Sequence, residues 1–193
     1  MAPSNVSSES EDAQWVRRAR AGDEQAFALL VERHERMVLR TGLRLLGRLD
    51  LAQDAAQEAF LRLHRHLARL DESRELGPWL YRVTVNVCRD ISRHVRSERG
   101  LGLEELRGLK SPDSGAAALD DAVARDEQRR LVQAALLTLS LKERETIVLR
   151  DLEGLTTWEV ARILGTSEGT VRSQISTGRL KIKRYVEARR GIR

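Results

Sequence analysis

The chain has 193 residues, 41% of them hydrophobic but only 4% aromatic, and its 34 basic against 29 acidic side chains give a formal net charge of +5. That length allows one medium domain or two small ones, and a Leu-, Ala- and Val-rich composition with three prolines favours helices over a β-sandwich. The single Cys88 excludes an intramolecular disulfide, the four histidines (His34, His64, His66 and His94) show no metal-ligand spacing, and no apolar run reaches membrane-spanning length.

Residues 1–12 are polar and acidic, lack the basic and apolar regions of a secretory leader, and read as a disordered tail of a cytoplasmic protein. A helix is predicted from Asp23 to Leu46, where Phe27, Leu30, Val31, His34, Val38, Thr41 and Leu45 recur as one stripe. A second is predicted from Leu51 to Leu70, with Ala52, Ala55, Ala56, Ala59, Phe60, Leu63 and Leu67 inward. On that helix Asp54, Gln57 and Glu58 stand at i, i+3 and i+4, an acidic hydrogen-bonding face that suits a basic protein partner or simply solvent. Residues 71–78 read as a loop, and Pro78 suits the first turn of a helix running to about Val95. Val83 to Val87 alternate like a strand, but Leu80, Val83, Val87 and Ile91 have helical spacing, which favours helix. Cys88 on this helix reads as a small core residue.

From residue 100 to 119, Gly100, Gly102, Gly108, Pro112, Ser114 and Gly115 break any long helix and mark a linker. Residues 100–128 hold seven acids and three bases, whereas residues 169–193 hold eight Lys or Arg and one acid. A basic tail behind an acidic connector points to a polyanionic partner for the tail. A helix is predicted over Asp120–Leu137. Ser140 with Glu143 is a capping box opening a helix to about Leu152, and Thr156 with Glu159 is another, opening a helix to Leu164. Gly165-Thr166-Ser167 reads as a tight turn before a helix over Glu168–Ala188.

A helix-turn-helix needs a small residue at the crossing, a turn residue tolerant of positive φ, and a β-branched residue where the second helix packs back. Ala161, Gly165 and Val171 supply these at offsets of four and six, with Val160, Ile163, Leu164 and Ile175 inside. Arg172, Ser173, Gln174, Ser176, Thr177, Arg179 and Lys183 are expected outside. Arg can read guanine and Gln adenine in a major groove, while Lys and hydroxyls hold phosphates. A merely solvated basic helix would not need two capping boxes and this spacing. The chain shows no Gly-rich phosphate loop, metal set or nucleophile–base pair, so neither an enzyme nor a cofactor is expected.

Leu139 to Leu180, above all Glu153-Gly154-Leu155-Thr156 and Gly169-Thr170-Val171-Arg172-Ser173, resembles region 4 of the extracytoplasmic-function sigma factors of bacterial RNA polymerase. Ala21-Gly22-Asp23, Ala26-Phe27, Asp54 to Phe60, Trp79-Leu80-Tyr81-Arg82 and Asn86 resemble region 2 of the same family, in its order. The resemblance implies an all-α protein of two small helical domains: a region 2 helical bundle over 13–99 and a region 4 helix-turn-helix over 120–190, joined by a flexible acidic linker. It implies that Glu168, Thr170, Arg172, Ser173, Gln174, Ser176, Thr177, Arg179 and Lys183 face the −35 element. Leu70 to Gly77 would be a base-capturing loop. Leu70, Arg74, Trp79, Arg82, Asn86, Arg89, Arg93 and Arg96 would face the melted −10 strand, Asn86 touching the non-template strand and the arginines from 82 onward holding phosphates. Trp79 also reads as a core residue at a helix start. Asp54, Gln57, Glu58 and Leu61 would dock on the β′ clamp helices of core polymerase, with the β flap as a further contact, and an anti-sigma factor is the implied regulator. The chain lacks the family's intermediate region 3 domain. It departs from the common pattern at Gln174, Thr177 and Gly178, where Arg, Arg and Ala are usual, and at Gly77, where Arg is frequent. The competing readings are a sigma-like decoy and an autonomous helix-turn-helix regulator, distinguished by whether specific DNA binding requires core polymerase.

Overall fold

A computed structural model describes residues 11–72, 74–99 and 120–190. The expected linker and residues 1–10 of the expected tail lie outside these. Among the described residues there are eight α-helices and no strand: α1 (Glu11–Arg20), α2 (Glu24–Leu46), α3 (Leu49–His66), α4 (Leu76–Arg99), α5 (Asp120–Leu137), α6 (Leu141–Ile147), α7 (Thr157–Leu164) and α8 (Glu168–Arg190).

Helix α2 begins where the Asp23 carboxylate accepts the Ala26 N–H at 3.1 Å and ends at Gly47, whose φ of 74° places it in the left-handed region. Its predicted stripe is the packed one, with Leu30, Val38, Thr41 and Leu45 buried. The alanines of α3 let the two helices approach closely: a Cβ on Gly42 would stand 3.5 Å from Ala52. After α3 the chain makes a 3-10 turn over Leu67–Arg69.

Helix α4 starts at Leu76, two residues before the expected Pro78, which still falls in the first turn where its missing N–H costs nothing. The strand-like stretch is helical. Thr84, Val85 and Val87 are all buried beside Leu80 because α4 packs on α2, α3 and α7, not on one neighbour. A helix covered on several sides loses the simple periodicity of a surface helix.

Two expectations for the N-terminus need correction. Glu11 and Asp12 belong to a helix, not to a disordered tail, and no helix is predicted before Asp23. Only Ala13 and Val16 of α1 are buried, too few to make a pattern. Contacts with α2 hold it instead: Glu11 pairs with Arg33 at 2.5 Å, and Asp12 Oδ2 lies 2.9 Å from His34 Nε2.

In the second half both capping boxes form as expected. Ser140 accepts the Glu143 N–H while Glu143 accepts the Ser140 N–H, and Thr156 and Glu159 do the same. Helix α6 ends at Ile147 and widens into a π-type turn over Val148–Leu152. Gly165, with φ 66°, caps α7 and turns the chain into α8.

The halves share one apolar cluster, in which Leu45, Val85, Val87 and Cys88 meet Leu136, Ile147, Leu149 and Val160. Each such side chain, once buried, contributes about 1.5–3 kcal/mol. Cys88 is the core residue expected, and burial pushes its thiol up to about 12, with the Glu145 carboxylate adding to the shift. At one end of the joint, Arg144 donates to the carbonyls of Leu136, Leu137 and Leu139 and to Leu45 O at the end of α2, 2.7 Å away. The Gln133 amide donates to Leu43 O and Arg44 O. These contacts fall where a helix C-terminus leaves carbonyls short of intrahelical partners, although Leu43 O and Leu136 O also accept the Gly47 and Leu139 N–H groups.

Candidate nucleic-acid interface

The turn between α7 and α8 is built as the spacing requires. Ala161 and Val171 are buried at the crossing, and the Thr166 N–H bonds back to Ala161 O at 3.0 Å. Ser167 caps α8 by accepting the Thr170 N–H at 3.1 Å. Thr170, Arg172, Ser173, Ser176, Thr177, Arg179 and Lys183 are exposed, and Glu168 is half-buried. Among the described residues Arg172 is tethered by a 3.5 Å contact with Glu168, and Lys183 by a 3.7 Å contact with Glu187. Arg179 is held more firmly, with two bonds of 2.6 and 2.9 Å to the Asp151 carboxylate, which raises the guanidinium above its ordinary value.

Gln174 departs from the expected outer set. It stands three residues after Val171 and four before Gly178, both buried, so it borders the packed side of α8. Its amide oxygen lies 2.6 Å from Thr146 Oγ1 on α6. Gly178 is itself inward: a Cβ there would come within 2.8 Å of Ile147. That contact explains the small residue.

On α4, Arg82, Asn86, Arg89, Arg93 and Arg96 follow steps of four, three, four and three, and so share one face. Arg82, Asn86, Arg93 and Arg96 are exposed. Arg93 pairs with Asp90 at 2.5 Å. Arg89 departs from the expected role of a free phosphate ligand. Its guanidinium forks onto the Glu145 carboxylate of α6 at 2.7 and 2.6 Å. Glu145 is buried, and the hydrogen bonds and charge of its carboxylate raise Arg89 above its ordinary value against the opposing effect of burial.

The expected base-capturing loop borders a cavity of about 530 Å³, to which Leu70, Trp79 and Arg82 contribute. Trp79 is half-buried, with its ring centroid 5.9 Å from that of His66, so it is part of the apolar packing and also lines this cavity. Arg74 pairs with Asp71 at 2.9 Å. The opposite wall comes from α7: Trp158, Arg162 and Ile163. Trp158 is 55% exposed, with the Arg162 guanidinium 4.7 Å from its ring centroid. Sequence reasoning singled out neither Trp158 nor Arg162, because nothing local links them to a loop some eighty residues earlier in the chain.

Two further acids were not legible. The Glu153 side chain is fully buried between the halves and accepts from Arg40 at 2.5 Å, Arg44 at 2.6 Å and the Tyr81 hydroxyl at 3.1 Å. Burial, followed by the charge of Glu153, pushes the Tyr81 phenol far above its ordinary value. Glu145 is the other, as the partner of Arg89.

The face of α3 has Asp54, Gln57 and Leu61 exposed, Leu61 at 44%. Glu58 is half-buried and tied to Arg62 at 2.8 Å. Among the described residues no group of three or more His, Cys, Asp or Glu side chains is arranged to hold a metal ion, and no helix is long and apolar enough to cross a membrane.

Residues 30–100 match the family model for sigma-70 region 2, and residues 129–182 match that for sigma-70 region 4. The chain is 32% identical to the ECF RNA polymerase sigma factor SigM of Mycobacterium tuberculosis, across 92% of this chain and 86% of that one. It is 30% identical to the ECF RNA polymerase sigma factor SigW of Bacillus subtilis, across 89% of this chain and 94% of that one. Among solved structures it resembles CnrH in complex with the cytosolic domain of CnrY, with a TM-score of 0.68 at 27% identity, covering 93% of this chain and 99% of that one.

Proposed function

The chain belongs to the extracytoplasmic-function sigma factors of the sigma-70 family, and from that membership we propose how its surfaces divide the work of initiating transcription. A sigma factor is a transcription-initiation factor and not an enzyme; RNA synthesis is done by the polymerase it joins. The exposed α3 face of Asp54, Gln57 and Leu61, with Glu58 at its edge, docks on the β′ clamp helices, and the second half reaches the β flap. Helix α8 enters the −35 major groove with Arg172, Ser173, Ser176 and Thr177 toward the bases and Lys183 toward phosphate. The cavity beside Leu70 and Trp79, and the α4 face of Arg82, Asn86, Arg93 and Arg96, take the melted −10 strand. Unstacking a base costs a few kcal/mol, which pocket and phosphate contacts offset. An anti-sigma factor holds the protein until it is needed. CnrH, a solved structure similar to this chain, was captured with the cytosolic domain of CnrY, which supports a protein regulator of this kind.

The observation that carries this reading is a single one. Two exposed basic helix faces, on α4 and α8, lie in the two segments that match regions 2 and 4, in that order. Run-off transcription with purified core polymerase and a promoter library randomised at −35 and −10 tests it. Transcripts that depend on the protein and share a two-part motif are expected. A folded protein that yields none with active core would sink the reading and favour a decoy that binds only the regulator.

A further inference from the structure

The Ala21-Gly22-Asp23 motif has no role in the docking just described, yet it ends α1 in a defined way. Gly22 takes a φ of 94°, and Asp23 both caps α2 and pairs with Arg18 at 2.7 Å. That turn fixes the last residue of α1, Arg20, against the segment leaving α3. Its guanidinium makes three contacts there. Nε donates to Leu67 O at 3.0 Å, Nη2 donates to Leu70 O at 2.8 Å, and Nη1 pairs with Glu72 at 2.5 Å. Arg17 adds a 3.4 Å contact to the other Glu72 oxygen. Between Leu67 and Leu70 the chain supplies only a 3.4 Å main-chain hydrogen bond of its own.

We propose that Arg20 is the positioning residue of the −10 capture loop: its planar fork sets the path of the chain from Leu67 to Glu72, and so the mouth of the cavity into which Leu70 and Trp79 face. Leu70, Asp71 and Glu72 line that cavity, so an error in their path is an error in the shape offered to a base. A guanidinium suits the task because its donors lie in one rigid plane and can bond two carbonyls and a carboxylate at once. Lysine, a point charge on a flexible stem, cannot span all three. The side chain acts through the groups it bonds, Leu67, Leu70 and Glu72.

This inference rests on the reading of residues 70–77 as the −10 loop, and the experiment separates the two. Full-length protein with core polymerase is assayed by run-off transcription on promoters matched or singly substituted at each −10 position, and likewise at −35. Arg20→Ala and Arg20→Lys are compared with Leu70→Ala, in the loop itself. Circular dichroism and thermal unfolding establish that each variant is folded, and Glu72→Gln, which removes one surface arm of the clamp, stands in should Arg20→Ala not fold.

The expected result is a fall of about ten-fold in −10 discrimination for both Arg20 variants, comparable to the loss of one charge-assisted hydrogen bond, with −35 discrimination unchanged. Glu72→Gln should shift −10 discrimination in the same direction by less. A purely structural role would lower output on every promoter alike and leave both ratios where they were. Unchanged −10 discrimination in the Arg20 variants, with a loss in Leu70→Ala, overturns the positioning role and leaves the loop reading intact. Unchanged −10 discrimination in all of them overturns the loop reading and the inference with it.

Discussion

Gly178 shows how much one missing methyl can matter. A Cβ there would stand 2.8 Å from Ile147 Cγ1 and 3.2 Å from Cδ1, and Ile147 is 2% exposed. Gly178→Ala adds helix propensity worth about 1 kcal/mol but overpacks a closed contact at a cost of about 1–3 kcal/mol. A net destabilisation of about 1 kcal/mol is therefore expected in denaturant unfolding. A variant as stable as the parent would mean that Ile147 yields. At this scale the sequence was informative where a residue answers to its own helix: Arg172, Ser173, Ser176 and Thr177 are exposed as their spacing demands. It misled where a residue answers to another part of the chain. Arg89 looks like a free cation until Glu145, 56 residues away, is seen to hold it. Gln174 looks like a base reader until its amide is found beside Thr146, 28 residues away.

Elements were legible in proportion to how local their signals are. Both capping boxes join residues three apart, and both appear in full. Helix α1 and the π-type turn after α6 are fixed by packing, and nothing near them in sequence announces them. The Thr156–Glu159 box also carries a pH dependence. The Thr156 hydroxyl, and then the Thr156 N–H, hold the Glu159 carboxyl below its ordinary value. A depressed carboxylate lends stability that is present above its unfolded value of about 4.3 and is lost as pH falls through the lower folded value. Removing the partner should erase that part of the acid response. Unfolding titrations between about pH 5 and pH 3 are expected to show a shallower acid loss for Glu159→Gln than for the parent, with the two curves closest at the acid end. Parallel curves would mean that the box has no share in acid stability.

For the molecule as a whole, composition and the order of motifs were enough for an all-helical chain with a helix-turn-helix at the far end. The fit between the halves was not legible, because its polar contacts join distant positions: Glu153 meets Arg40 across 113 residues and Tyr81 across 72. The Glu153 carboxylate faces two guanidiniums, Arg40 46% exposed and Arg44 25%. Glu153→Gln keeps the shape and removes the charge that both arginines answer to. A loss of about 2 kcal/mol, in the range for hydrogen bonds to charged groups, is expected in thermal or denaturant unfolding. Small-angle scattering should show an increased radius of gyration as the halves part more often. An unchanged radius and midpoint would assign the joint to its apolar cluster and to its other polar contacts, those of Arg144, Gln133 and Arg89.

The Arg89–Glu145 pair has a consequence for how ionic strength acts on DNA binding. Each side chain that neutralises a phosphate of single-stranded DNA displaces condensed counterions and steepens the fall of log affinity with log salt by about 0.7. While Arg89 faces Glu145 it neutralises a carboxylate of its own chain, so it displaces none. On the proposed −10 role of α4, the packed form would therefore bind a melted strand with a shallower salt slope than the row of cations along α4 implies, the missing increment appearing only when the two halves move apart.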